Sequence, residues 1–195
     1  MRTAAEQVMS WGNRVVALMF MATSWACTSN VGPLNPKPNV MVRPDIAPSR
    51  LVVDASVKDS FVISHPGAYL DVHVTGWRQS LQNGFGNAFP AGATSGRTLE
   101  LLQANLSFAP AAASTWGVAA VVAMIRFKAR LVDRTGTEVA SLAGTAQARE
   151  LLPTPTGPAD EALARNAAEA IEALYEQLSE RLIAPPPQGD ARASQ

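Results

Sequence analysis

Two stretches of alternating residues decide the fold of this chain: LQANLSF at 102–108 and VVAMIRFKARL at 121–131. Apolar side chains recur at every second position of LQANLSF and through most of VVAMIRFKARL, with polar or charged ones between them. Because successive side chains of a β-strand point to opposite faces of a sheet, this period predicts two strands with one apolar face. The turn sequence DRTG at 133–136 then predicts a hairpin, with a return strand over 138–148.

Segments on both sides of these strands complete the predicted domain. Alternation over 51–57 predicts a first strand, and residues 61–63 either extend it or form a short second one. Apolar residues at helical spacing between 74 and 85 predict a helix with Asp71 as N-cap, ended by Asn83-Gly84 and Gly86. A last helix is predicted from apolar residues that share one face: Leu163, Ala167, Ala170, Ile171, Leu174, Leu178 and Leu182.

The order of these elements predicts an α+β fold, β-α-β-β-β-α. An antiparallel sheet of about four strands with one apolar face buries that face when both helices pack on it, which gives a two-layer sandwich. We expect this domain to span residues 50–184. With 47% apolar and 16% charged residues in 195, one ordered domain is expected rather than a disordered chain.

Composition also limits the function. A formal net charge of zero argues against nucleic acid as the main partner, and one cysteine excludes a disulfide framework or a Cys-based zinc cluster. The two histidines, His65 and His73, lack the spacing of a known metal motif. We therefore expect no metal, no cofactor and no catalytic residues, so the chain is predicted not to be an enzyme. A hydrolase that uses Asp71 and His73 is the least favoured alternative.

Residues 1–26 are predicted to be a signal peptide. Arg14 precedes 12 uncharged residues, 15–26, of which the first eight are apolar. This length falls in the range of about 7 to 15 for the apolar part of a signal peptide and below the roughly 20 of a membrane-spanning helix. Glu6 is unusual in a segment that should be positive, which leaves open whether Met1 or Met9 is the start, and we favour Met9.

The end of this run, Ala22-Thr23-Ser24-Trp25-Ala26-Cys27, resembles the lipobox of bacterial lipoproteins. In that family a small residue precedes a cysteine that is diacylated on sulfur and becomes the N-terminus, and Ala26 and Cys27 match this pattern. The resemblance implies lipidation of Cys27 and a membrane-anchored protein facing the periplasm. Thr28 in place of Asp favours the outer membrane over the inner one. The alternative is a secreted protein cleaved near Ala26, with Cys27 a free thiol.

The flanks of the domain are predicted to lack regular structure. Residues 27–49 carry five prolines and are expected to form the lipidated cysteine and a semi-rigid tether, and residues 185–195 a disordered tail. The element order of 50–184 resembles envelope lipoproteins such as the lipopolysaccharide-assembly lipoprotein and the auxiliary lipoproteins of lipid-trafficking ABC transporters. The resemblance implies an accessory or assembly subunit with an envelope protein partner. The alternative is a carrier that holds a lipid or amphiphile between helices and sheet.

Surface residues of three kinds are candidate contacts. Basic side chains on one face of a predicted strand could bind a phosphate-bearing lipid or simply be solvated. Acidic side chains at helical spacing could dock a basic partner or form a solvated helix face. A tryptophan in a loop, unlike the core-facing Trp77, could contact a partner. The candidates are Arg126, Lys128 and Arg130 for an anionic ligand, and Trp116, Glu172 and Glu176 for a protein partner.

Overall fold

The computed structural model describes residues 27–64, 70–89, 91–110, 120–148, 152–153 and 159–183. The strands are β1 Cys27–Val31, β2 Arg50–Val53, β3 Phe61–Ser64, β4 Leu70–Val74, β5 Thr98–Pro110, β6 Ala120–Val132, β7 Glu138–Gln147 and β8 Leu152–Pro153. The helices are α1 Trp77–Ala88 and α2 Ala159–Leu178, which a π-helical turn, Ser179–Ile183, extends. The predicted signal peptide, the predicted tail, His65 and Trp116 lie outside the described residues.

The main sheet has the strand order β2-β5-β6-β7, with the short β8 also paired to β6. Strands β5, β6 and β7 are antiparallel neighbours, and their inner faces align Leu106 with Ile125 and Ile125 with Ala146. The predicted α+β class is confirmed. One pairing differs from expectation, because β2 runs parallel to β5. A parallel pair requires a long crossover, and residues 54–97, which include α1, provide it.

A second, smaller sheet was not predicted. Its order is β1-β4-β3, with β1 parallel and β3 antiparallel to β4. Strands of four or five residues are too short for a clear period, and the pairing of 27–31 with 70–74 joins segments far apart in sequence. Of its three strands, only β3 coincides with a predicted one, the short second strand that was one of two alternatives for residues 61–63.

The core lies between the main sheet and the helices. The apolar face of α2 packs on β6 and β7, and every residue predicted for that face is buried. The turn between β6 and β7 is also confirmed: the Asp133 carboxylate accepts the N–H groups of Thr135 (2.8 Å) and Thr137 (3.0 Å). Gly136 in this turn has φ of 84°, a conformation that glycine adopts at low cost.

The first helix begins later than predicted. It starts at Trp77, whereas Val74 and the proposed N-cap Asp71 belong to β4. Asp59 binds the helix N-terminus instead: its backbone carbonyl accepts the Trp77 N–H (3.0 Å) and its carboxylate that of Arg78 (2.9 Å). The prediction was wrong because Val74, the last residue of β4, is three residues before Trp77, which is also the spacing of residues on one face of a helix.

The predicted end of α1 was also wrong. Gly84 and Gly86 lie inside the helix, which continues to Ala88. At Gly84 the reason is packing, since an added Cβ would lie 2.7 Å from Tyr175 Cε2 and 2.8 Å from Ile171 Cγ2 of α2. Glycine therefore permits a close approach of the two helices rather than a left-handed turn.

The Pro-rich segment packs on the domain instead of forming a detached tether. Leu34 is buried, its N–H donates to Ser80 Oγ (2.9 Å) and its carbonyl accepts from Asn83 Nδ2 (2.8 Å). Pro36 and Pro38 are buried as well. Proline excludes this segment from helices and sheet interiors, yet its ring is an apolar surface that can be buried. The folded domain consequently begins before residue 50. We call the region where residues 33–39 lie on α1 and α2 the seam.

Candidate functional site: a groove between two strand edges

An open groove of about 580 Å³ lies between the small sheet and the main sheet. Strand β3 forms one side, β5 forms the other, and the loop after β2 closes one end. We call this site the groove. It is lined by Ser56, Lys58, Phe61, Val62, Ile63, Ser64, Ala104, Asn105 and Leu106.

Trp77 links the two sides of the groove. Its side chain is 1% exposed, and its indole Nε1 donates a hydrogen bond to the Ala104 carbonyl (2.9 Å). The ring of Phe61 on β3 packs edge-on against it, with ring centroids 6.2 Å apart. An indole that is buried and hydrogen-bonded in this way holds β3 and β5 at a fixed separation.

The loop at the end of the groove is held by Arg78. Its guanidinium donates to the carbonyls of Val53 (2.6 Å), Asp54 (3.1 Å) and Val57 (3.4 Å). The backbone N–H of Ser56 donates to the Asp54 carboxylate (2.8 Å). This bond, with smaller contributions from the Ser56 hydroxyl and the charge of Arg78, lowers the pKa of Asp54.

The outer edge of β5 is the side away from β6, and some of its backbone carbonyls accept hydrogen bonds. After the pairing with β2, the Leu101 carbonyl accepts the Asp54 N–H (2.9 Å) and the Ala104 carbonyl accepts the Trp77 indole. Backbone groups of an antiparallel strand alternate in direction, so Leu106 is the next residue facing this edge. Within the described ranges, no hydrogen bond reaches its edge-facing N–H and C=O.

The outer edge of β3 is open in the same way. Thr75 donates its N–H to the Val31 carbonyl of β1 (2.9 Å), so alternation directs Val74 towards β3, where it pairs with Phe61. The next residue of β3, Val62, therefore directs its N–H and C=O to the groove. Its side chain is 51% exposed, which is high for valine. Two strand edges thus face the groove from opposite sides.

The charge at the groove is positive. Lys58 is exposed at the rim and forms no ion pair with any residue that the structure describes. Serine and asparagine side chains supply the other polar groups. The groove can therefore offer backbone donors and acceptors, several apolar side chains and one cation.

The predicted basic stripe lies on the outer face of the main sheet. Arg126 and Lys128 are exposed there, as expected. Arg130 Nε instead lies 2.6 Å from Glu100 Oε2, and this hydrogen-bonded ion pair raises the pKa of Arg130, with a smaller contribution from Glu138. Arg126 and Lys128 form no ion pair with the residues that the structure describes. The predicted contact of the three basic residues with an anionic ligand stays a prediction.

The two acidic residues predicted to contact a partner bind the chain's own seam. Glu172 Oε1 accepts the N–H of Lys37 (2.8 Å), and Glu176 Oε1 accepts that of Asn39 (3.4 Å). These carboxylates have a structural role within the molecule, and an outside partner is not needed to account for them.

The remaining candidates are dispersed. Cys27 is the first residue of β1, in register with Leu70 of β4. Asp71 and His73 lie on the same side of β4, but no hydrogen bond joins these two side chains. Across the described ranges, no three His, Cys, Asp or Glu side chains are placed to hold a metal ion. None of the described helices is both long and apolar enough to cross a membrane.

Sequence reasoning missed the groove. One signal was present: Phe61, Val62 and Ile63 place apolar side chains on both faces of a short strand. A strand that is apolar on both faces is typical of one covered on both sides, although the structure leaves Val62 half exposed. The opposing edge at Leu106 had no local signal.

Comparisons with known proteins find similarity among solved structures alone. No protein-family model matches the chain, and no curated protein matches it. Among solved structures, a minor lipoprotein from Acinetobacter baumannii is similar with a TM-score of 0.42 and 11% identity, over 69% of this chain and 89% of that one. A likeness at this level establishes neither fold nor function.

Proposed function

We propose that this chain is a bacterial envelope lipoprotein that acts as a non-catalytic accessory or assembly subunit. The observation that carries the proposal is the lipobox-like end of the apolar segment at Cys27. The residues directly after it are folded, since Cys27–Val31 pairs with β4. Cleavage before Cys27 would leave this pairing in place.

The anchor would hold the domain close to the bilayer. A diacylated cysteine carries two acyl chains, and two chains give stable membrane attachment where one is marginal. Because Cys27 lies in β1, in register with Leu70 of β4, the anchor would be attached directly to the fold. The end of the small sheet at Cys27 and Leu70 would then face the membrane, and the rest of the domain would face the periplasm.

An accessory role is supported by the groove. Its two open strand edges and its mixed polar and apolar lining form a surface suited to contact with another polypeptide. The polar side chains that hold this surface, Arg78 and Trp77, act by binding the chain's own carbonyl groups. Their role is to shape a binding surface.

A carrier for a lipid or amphiphile is the second candidate. The groove volume of about 580 Å³ falls within the roughly 300–1,000 Å³ of small-molecule sites, which favours this candidate. However, the expected location between helices and sheet is filled, since Phe127, Ile171 and Leu174 are no more than 2% exposed. Native mass spectrometry of the membrane-extracted chain would test it, because a carrier should retain a lipid of defined mass.

Fractionation of cells tests the anchor. We expect Cys27→Ala to move the protein from membranes to the soluble periplasmic fraction. Asn30→Ala, an exposed position of the same strand, is the matched control and should stay in membranes. Density separation of the two membranes would check the favoured outer location. A Cys27→Ala protein that stays in membranes would contradict the proposal.

A further inference from the structure

We infer that the groove receives one extended strand of a partner polypeptide, which hydrogen-bonds to the edges of β3 and β5. The inference deepens the proposed accessory role, on which it rests, by naming how the partner is held. The bound strand joins the small sheet and the main sheet into one.

A guest strand bonded on both sides needs two open edges that face each other across a groove. Neighbouring strands lie about 4.7–4.9 Å apart, so a single strand bonded on both sides requires two edges separated by twice that distance. Val62 and Leu106 face the groove from opposite sides, and no hydrogen bond joins β3 directly to β5 in the described part of the chain. Strand addition at an exposed sheet edge is a recurring way to bind peptides.

The side chains around the groove define the chemistry of the guest. Phe61 and Leu106 offer apolar surface towards the core, whereas Val62 and Asn105 lie on the exposed faces of their strands. A guest strand therefore alternates apolar and polar residues. Lys58 at the rim favours a carboxylate among the polar ones, since it has no acidic partner in the described residues.

Backbone chemistry favours a peptide over a lipid. An acyl chain in the groove would cover the N–H and C=O groups of Val62 and Leu106 without bonding to them. Covering unpaired backbone groups is unfavourable, whereas a peptide supplies partners for them. The rigid frame set by Trp77 and Arg78 also reduces the ordering that binding requires.

Photo-crosslinking in native membranes tests the inference on the full chain. A benzoylphenylalanine replaces Val62 on β3 or Asn105 on β5, and the control replaces Val139 of β7, which is 50% exposed. We expect adducts from both groove positions to the same short segment of one other protein, whose residues alternate between apolar and polar. The Val139 position should give no such adduct.

A backbone variant separates strand pairing from mere proximity. Val62→Pro removes the N–H that faces the groove but leaves the amides of Phe61 and Ile63, which face β4. Proline is tolerated on edge strands. With the probe at Asn105, Val62→Pro should lower the adduct yield roughly two- to tenfold, the loss expected when one backbone hydrogen bond is removed. Val62→Thr should keep the yield, and thermal melts establish that both variants fold.

Each other outcome overturns the inference. Lipid adducts from both positions would make the groove an amphiphile site, and adducts to a second copy of this chain would make it a self-association surface. Yields no higher than at Val139, or unchanged by Val62→Pro, would exclude strand addition. Anchoring is read independently from Cys27→Ala, so an anchored protein without groove adducts refutes the inference alone.

Discussion

The seam and the groove differ in whether their backbone N–H groups have hydrogen-bond partners. In the seam, the N–H groups of Leu34 and Lys37 donate to Ser80 and Glu172. In the groove, the edge groups of Val62 and Leu106 have no partner among the described residues. The seam is also filled to contact distance, whereas the groove holds about 580 Å³ of open space. The difference indicates that the seam stabilises the fold and the groove is available for binding.

The largest effect is expected at the closest contact of the seam. Gly84→Ala would place a Cβ 2.7 Å from Tyr175 Cε2 and 3.1 Å from Pro36 Cγ. Such overpacking should lower the free energy of unfolding by about 1–3 kcal/mol. The matched control is Gly86→Ala in the same helix, where a Cβ meets nothing within 4 Å. It should raise that free energy by about 0.5–1 kcal/mol. Urea denaturation measures both, and equal effects would mean that the helices are not in close contact.

A smaller effect is expected at the hydroxyl of Tyr175. This group is fully buried and donates to the Leu81 carbonyl (2.6 Å). Tyr175→Phe should cost about 1 kcal/mol of unfolding free energy at neutral pH, the usual value for one hydrogen bond. Denaturation at pH 7 checks this, and an unchanged midpoint would contradict the buried bond.

The same residue makes stability depend on alkaline pH. Burial raises the pKa of Tyr175 above its ordinary value of about 10, so above that pH the unfolded chain loses its proton first. Stability conferred by the neutral phenol is complete below about pH 10 and falls as pH rises further. Tyr175→Phe should show a shallower decline than the parent chain in denaturation series at alkaline pH. Identical slopes would contradict this.

A further test compares Glu172 of α2 with Glu180 of the π-helical turn that extends it. Glu172→Ala removes the acceptor for the Lys37 N–H and should lower the unfolding free energy by about 0.5–1 kcal/mol, because the bond lies at the surface. Hydrogen exchange of residues 33–39 should accelerate. Glu180→Ala, an exposed position four residues beyond Glu176, should leave both unchanged. Equal exchange in the two variants would mean that the seam does not depend on Glu172.

The smallest effects on folding are expected in the groove. Val62→Thr and Asn105→Ser alter exposed side chains and should change the unfolding free energy by less than about 0.5 kcal/mol. Urea denaturation of both variants and of Gly84→Ala would compare the unfolding free energy that each region contributes. A cost comparable to that of Gly84→Ala would make the groove part of the structural core.

The main sheet could be predicted because its signal is local. Leu106 and Ile125 each lie in a stretch whose alternation shows which face is buried, and the DRTG turn at 133–136 marks a hairpin. The last helix was equally clear, since seven apolar residues recur on one face. The short β8 and the end of β2 at Val53 were not predicted. The direction of β2 was not predicted either, because parallel pairing depends on the crossover and not on the strand itself.

The small sheet and the seam could not be predicted, because their causes are not local. Strand β1 pairs with β4, which lies about 40 residues away, and neither has a readable period. The prolines of the seam indicate what the backbone cannot form, but not that Pro36 packs against Gly84 and helix α2. The groove is harder still to predict. One would have to know in which direction the backbone N–H and C=O groups of Val62 and Leu106 point, and these residues lie on two separate sheets.

The mass of the N-terminal peptide from the membrane-extracted protein tests the central claim most directly. We expect a peptide that starts at Cys27 and carries the added mass of a diacylated cysteine. Such a peptide would place the lipid anchor on a residue that pairs with β4. A peptide that begins upstream of Cys27, or an unmodified cysteine at the N-terminus, would contradict the proposed envelope lipoprotein.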